Sequence, residues 1–164
     1  MTHFSELLAL HDQLDDLFLA HQRALLRLDL DRAAELLKKY EKEILAHMKD
    51  EEELMLPLYN ERATAPVGGT AEIFIGEHNK LRQFLSLFKD ELVRLKKVRD
   101  LEMGVLFLLD SQHLFKRLLV HHDTREKKFL YPLLDKLTTE LERTALFDSL
   151  NAPVNSLTAG RAHN

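Results

Sequence analysis

The 164-residue chain is predicted to be all-α, folding as an antiparallel up-down-up-down four-helix bundle. Three observations point there. Glycine (5) and proline (4) are scarce while leucine is plentiful, a composition that favours long helices over sheets. Apolar residues recur in steps of three and four along four separate stretches, the period of a helix face turned to a core. The links between the first and second stretches, and between the third and fourth, are short enough to force antiparallel neighbours.

The first seam runs Leu7, His11, Leu14, Phe18, His21, Leu25, Leu28. It breaks at Leu28-Asp-Leu-Asp-Arg32, where Asp31 is the expected N-cap of the second helix. The second seam is Leu37, Tyr40, Ile44, His47, Glu51, Leu54, Leu58, with Pro57 near its end. Ala63-Thr-Ala-Pro-Val-Gly-Gly-Thr70 follows as a loop. The third seam is Phe74, His78, Leu81, Leu85, Phe88, Leu92, Leu95, and Arg99-Asp100 marks a tight turn. The fourth is Leu101, Val105, Leu108, Gln112, Phe115, Leu119, His122, Glu126, Phe129, Leu133. Beyond Pro132 the helix is expected to continue through Leu137, before a short extra turn around Leu146 and Phe147. Residues 1–150 then form the bundle, and 151–164 form a flexible tail in which His163 has no role.

Composition narrows the function. With 45% apolar and 30% charged residues the chain suits one globular core. Cysteine is absent, which removes disulfides, thiolate metal sites and thiol nucleophiles, so any metal is held by nitrogen and oxygen. The net charge of −4 is spread through mixed runs such as KDELVRLKK and REKK, which are solvated helix faces and no footprint for nucleic acid. The amino terminus has no signal-peptide pattern and no stretch is apolar enough to span a membrane, so a cytoplasmic location without a membrane partner is expected. No nucleophile constellation or phosphate-binding glycine loop is present.

One phrase occurs twice, as His47-Met-Lys-Asp-Glu51 and His122-Asp-Thr-Arg-Glu126, each with a proline ten residues past its histidine, Pro57 and Pro132. Residues four apart on a helix share a face, so each phrase aims an imidazole and a carboxylate at one point. Antiparallel helices bring residues equidistant from a turn to one level. His47 is then level with His11 or Asp12, His122 with His78, and His78 with Glu51. His11, His47, Glu51, His78, His122 and Glu126 therefore converge as metal ligands in one layer. Burying such groups is costly unless they are paired or bind something. Four imidazoles and two carboxylates exceed the needs of one tetrahedral zinc and suit a carboxylate-bridged iron pair. The order His-x-x-x-Glu is the reverse of the Glu-x-x-His of ferritin-like bundles.

These residues, in this helical order, resemble the hemerythrin-like (HHE) domains over nearly all of residues 5 to 137. The resemblance rests on His11, His47 with Glu51, Glu77-His78, and His122 with Glu126. It implies a four-helix bundle around a non-haem di-iron centre, oxo- or hydroxo-bridged, that engages dioxygen, nitric oxide or peroxide. Two departures stand out. Arg82 occupies the second position of the His-x-x-x-His pair of the oxygen carriers, and Glu126 follows His122 by four residues where their acid follows by five, the spacing kept here by His121. A centre short of one nitrogen is more open, and the set is closer to hemerythrin-like domains that sense iron or redox state or repair iron centres. The cysteine-bearing segment usual in repair proteins is not seen.

Other polar residues have quieter readings. His21 is a hydrogen-bonded core histidine, placed by level near Tyr40 and His113, with a role as alternative ligand if the first turn is irregular. His121 is expected at the surface or just behind a ligand, Glu52 and Glu53 in solvent with the alternative of extending the acidic side of the site, and Tyr59 and Tyr131 in packing. Asp12 and Glu77 are candidates to orient a ligand's second nitrogen. The rival functions are a haem-binding bundle using His21 or His113, a zinc-binding bundle, an enzyme turning over peroxide or nitric oxide, and a metal-free partner-binding bundle.

Overall fold

The computed structural model describes residues 2–152. A short 3-10 turn, Phe4–Leu7, leads into α1 (Leu8–Leu26), followed by α2 (Leu30–Asp50), α3 (Leu56–Arg62), α4 (Ala71–Leu95), α5 (Leu101–Arg125), α6 (Tyr131–Leu137) and α7 (Glu140–Asp148). α2 joins α3, and α5 joins α6, through the π turns Glu51–Met55 and Glu126–Leu130, with no break in the helical path. The result is four long antiparallel rods and a short fifth helix. α1 packs along α2 and α4 along α5, while α2 on α4 and α1 on α5 close the bundle.

The helix ends show why the turns are tight. Leu28 adopts φ 58, and the Asp29 N–H reaches back 3.0 Å to the Ala24 carbonyl, a left-handed closure that satisfies an otherwise orphaned acceptor. The chain re-enters a helix at once, so the cap of α2 is Asp29, whose carboxylate accepts the Arg32 N–H at 3.0 Å. Asp31, the residue expected there, sits in the first turn and accepts from Lys96 at 2.8 Å. Asp100 caps α5 through the Met103 N–H. In the 63–70 loop Gly68 has φ 80, and a Cβ on Gly69 would lie 2.9 Å from Phe129, so both positions exclude larger residues. Tyr59 donates to the Gly69 carbonyl at 2.7 Å and Arg125 to that of Gly68 at 3.0 Å, tying this loop to the bundle.

Apart from the half-buried His11, Leu28, Leu101 and Leu119, the four seams are buried as expected up to Glu51 and Glu126, and beyond them the pattern moves by one residue. Met55, Leu56 and Tyr59 are buried where Leu54 and Leu58 were expected, and Leu130, Tyr131 and Leu134 where Phe129 and Leu133 were. Each π turn takes in one extra residue and so rotates everything after it. The prolines supply a physical reason. In an α-helix Pro57 and Pro132 would press on the carbonyls of residues 53 and 128, and both carbonyls lie inside the widened turns.

Two apolar clusters result. The larger contains Leu14, Phe18, Ile44, Leu81, Phe88 and Phe115, and the smaller Phe4, Met55, Phe74, Leu130 and Leu134. Along each rod the predicted polar residues fall between members of the two clusters. α7 starts at a Thr139–Glu142 capping box, and its buried Arg143 donates to the Thr2 and Thr138 carbonyls at 2.7 and 2.6 Å, closing the smaller cluster. Asn151 and Ala152 donate backbone N–H groups to the buried Asp50. The rest of the expected tail, with His163, lies outside the described residues. Among the described residues no helix is long and apolar enough to cross a membrane.

Candidate metal centre

All six predicted residues meet in the layer between the apolar clusters, in two pairs of rings. His11 on α1 and His47 on α2 bring their Nε2 atoms to 2.8 Å, and His78 on α4 and His122 on α5 bring theirs to 3.1 Å. Of the two residues level with His47, His11 reaches it, while Asp12 is exposed. Both glutamates stand at the first position of a π turn and project between the pairs. Glu51 Oε2 is 3.2 Å from His78 Nε2, and its Oε1 is 3.7 Å from His47 Nε2. Glu126 Oε1 is 2.7 Å from His122 Nε2, and its Oε2 is 3.4 Å from His11 Nε2.

Carboxylates on other elements hold the rings from behind. Asp123 accepts from His11 Nδ1 at 2.5 Å, Glu52 from His78 Nδ1 at 2.8 Å, and Glu77 from His122 Nδ1 at 2.9 Å. An ionised carboxylate only accepts, so these three Nδ1 atoms carry hydrogen and the Nε2 atoms face the centre. Basic side chains fix the carboxylates in turn: Arg82 grips both oxygens of Glu52 at 2.9 Å, Arg125 reaches Glu77 at 2.8 Å, and Lys127 reaches Asp123 at 2.6 Å. Arg82, in the place of a second third-helix histidine, therefore serves the acid behind His78. Glu77 orients a ring as anticipated. Glu52, expected in solvent or on the acidic side of the site, takes the second place, and Asp123 does the work expected of Asp12.

Tyr131 packs in the smaller apolar cluster as expected, and it has a second role that its sequence position did not indicate. It donates its hydroxyl to Glu51 Oε1 at 2.8 Å and lies 3.3 Å from His11 Nε2. The π turn carries it inward, since residue 131 lies five past Glu126 and shares its face only in the wider turn. A periodic seam that stalls one residue off register before a proline was the available signal.

The electrostatics are those of a crowded donor set. Burial pushes the Glu51 carboxyl up, but the His47 and His78 rings outweigh it and hold the group well below the usual range. Burial, then the charge of Glu51, raises Glu126 despite His122. Burial lowers His47 to about 4. On His122 burial is outweighed by Glu126 and Glu77, which hold the ring well above its ordinary value. Burial, then Glu126 and Glu51, keeps Tyr131 protonated as a donor.

Three buried oxygens, Glu51 Oε2 and both of Glu126, have no hydrogen-bond partner. Such atoms are rare in folded proteins because leaving them bare costs about 1–3 kcal/mol each. Four Nε2 atoms crowd the same space. The arrangement suits positive charge, and the donors fall into two cation-sized groups: Glu51, His78, His122 and Glu126, and His11, His47 and Glu126. Glu126 belongs to both.

The remaining histidines stand apart. His21 is neutral and fully used: its Nδ1 donates to the Ala33 carbonyl at 2.7 Å and its Nε2 accepts from Gln112 at 2.8 Å. Its partner on the fourth rod is Gln112, whereas His113 and His121 are exposed. No ring nitrogen of His21 is left for haem. Tyr59 is packed and Glu53 is exposed, as expected.

A cavity of about 240 Å³ lies beside the centre. It touches His11, His47, His122 and Glu126 at its inner end and reaches exposed Asp15 and Lys116 between α1 and α5.

Fold and site together define an all-helical cation-binding bundle with a buried cluster of histidine and glutamate. The sequence matches the Hemerythrin HHE cation binding domain over residues 2–134, and the chain belongs to that family. Comparison with curated proteins and with solved structures found no match.

Proposed function

We propose that the cluster is a non-haem di-iron centre that binds dioxygen, nitric oxide or peroxide for sensing, scavenging or iron handling. His11 and His47 would hold one iron, His78, His122 and Glu51 the other, and Glu126 both. The observation that carries this reading is the trio of donorless buried oxygens among four Nε2 atoms. Imidazole and carboxylate together suit iron, and a shared carboxylate suits a pair. Iron held here would supply one-electron chemistry at positions left open to a small ligand. The chain's own residues do the rest. Asp123, Glu52 and Glu77 keep three rings in the tautomer that presents Nε2, Tyr131 holds Glu51 in place, and the two apolar clusters flank the layer on either side.

The test is optical. Protein loaded anaerobically with ferrous iron should develop near-ultraviolet absorption on admission of air, and a distinct spectrum on addition of nitric oxide. Spectra that stay unchanged with both gases would remove the proposed ligand chemistry.

A further inference from the structure

The cavity is larger than the function proposed above needs. A water molecule's share of liquid volume is roughly 30 Å³, and a dry apolar cavity of about 150 Å³ admits benzene. At about 240 Å³ this space exceeds both, so a diatomic molecule would leave most of it empty. Its walls are apolar, with Leu14, Phe18, Ile44, Leu81 and Leu119 prominent. Of its charged wall groups, Asp123 is paired with His11 and Lys127 and Glu126 lies 2.7 Å from His122, which leaves one carboxylate, Asp15, facing one ammonium, Lys116, at the rim.

One wall group is unusual. Tyr40 is 1% exposed, and among the described residues its hydroxyl has no hydrogen-bond partner. Burial, followed by the charge of Asp15, keeps it protonated, so it remains a donor. Gln22, the nearby amide, is already committed, accepting from Lys116 at 3.2 Å and donating to Gln112 at 3.0 Å. The space thus combines mostly apolar walls, charged groups that are paired or balanced, and one unanswered donor, the make-up of a small-molecule site.

We infer that this cavity binds an uncharged, ring-sized organic molecule with one carbonyl oxygen, which accepts a hydrogen bond from the Tyr40 hydroxyl. The occupant lies against His47, His122 and Glu126, so it covers one side of the centre and limits the approach of a diatomic ligand. That consequence rests on the di-iron reading. The binding itself does not.

The probe is acetophenone, titrated calorimetrically into the full chain beside α-methylstyrene, which has the same shape with CH₂ in place of the carbonyl oxygen. Acetophenone should bind saturably. Tyr40→Phe should weaken it about tenfold, the loss expected for one buried hydrogen bond, and leave α-methylstyrene unchanged. Leu119→Trp, or Leu19→Trp at the rim if the first variant loses helicity, should abolish binding of both. Absence of saturable binding, equal affinity in Tyr40→Phe, or full affinity in the folded tryptophan variant would overturn the proposal. Repeating the titration after chelation separates the two claims. Retained binding places the site in the cavity whatever the metal, whereas loss on chelation would show the carbonyl ligating metal and would overturn the role of Tyr40.

Discussion

Three of the four central histidines are aimed by carboxylates from other elements, so ring orientation is a property of neighbouring helices. Glu52→Ala would free His78 Nδ1 and leave Arg82 with Asn79 alone. Metal affinity should fall about 10–100-fold, measured by competition with a chromophoric chelator, with helicity unchanged. Undiminished affinity would deny Glu52 that role. His21 makes a separate prediction. Burial lowers it below its ordinary value of 6.5, against the Ala33 carbonyl, so the folded state favours the neutral ring. The unfolded chain takes up a proton as pH falls through 6.5 while the folded chain resists. His21 therefore contributes stability that is present above that pH and lost below it. Urea midpoints of metal-free wild type should fall more steeply below that pH than those of His21→Gln, and parallel curves would contradict this. The six central residues were legible because they stand on seams. Glu52, Asp123 and Tyr131 were not, because their roles depend on which neighbour faces them across the bundle.

At the scale of the element, the two π turns matter most. Each begins at the glutamate of the repeated phrase and ends just short of its proline, so one local device is used twice in opposite halves of the bundle. It carries Tyr131 to Glu51 and turns the following apolar residues by one position. Leu130→Ala should cost about 2–5 kcal/mol, as for a fully buried leucine. Leu133→Ala should cost at least about 1 kcal/mol less, because Leu133 is only partly buried. Equal costs in denaturant unfolding, or the reverse order, would mean that the helix continues in regular α register. The four rods were readable from apolar spacing up to the glutamates. The register beyond was not, since extending a 3.6-residue period past a proline assumes an unchanged turn. The cap at Asp29 was missed likewise, because the left-handed Leu28 shortens the first turn below what composition alone indicates.

The whole molecule is two helical hairpins closed face to face, with apolar clusters above and below a polar layer. That layout was accessible from counting residues outward from each turn, because antiparallel helices rise equally. Equal counts put His47 level with His11 or Asp12 and His122 level with His78, and the structure pairs His47 with His11. Counting did not reveal how the layer is shared out, with Glu126 common to two donor groups and Glu51 mainly beside His78. That sharing makes the centre one unit spanning both hairpins, and Glu126 its keystone. The most direct measurement is metal content per chain after anaerobic ferrous loading and desalting, for wild type and Glu126→Ala. The account predicts about two irons per wild-type chain, and one or none in the variant with its helical content intact. A wild-type chain that retains no iron, or a variant that still holds a coupled pair, would contradict it.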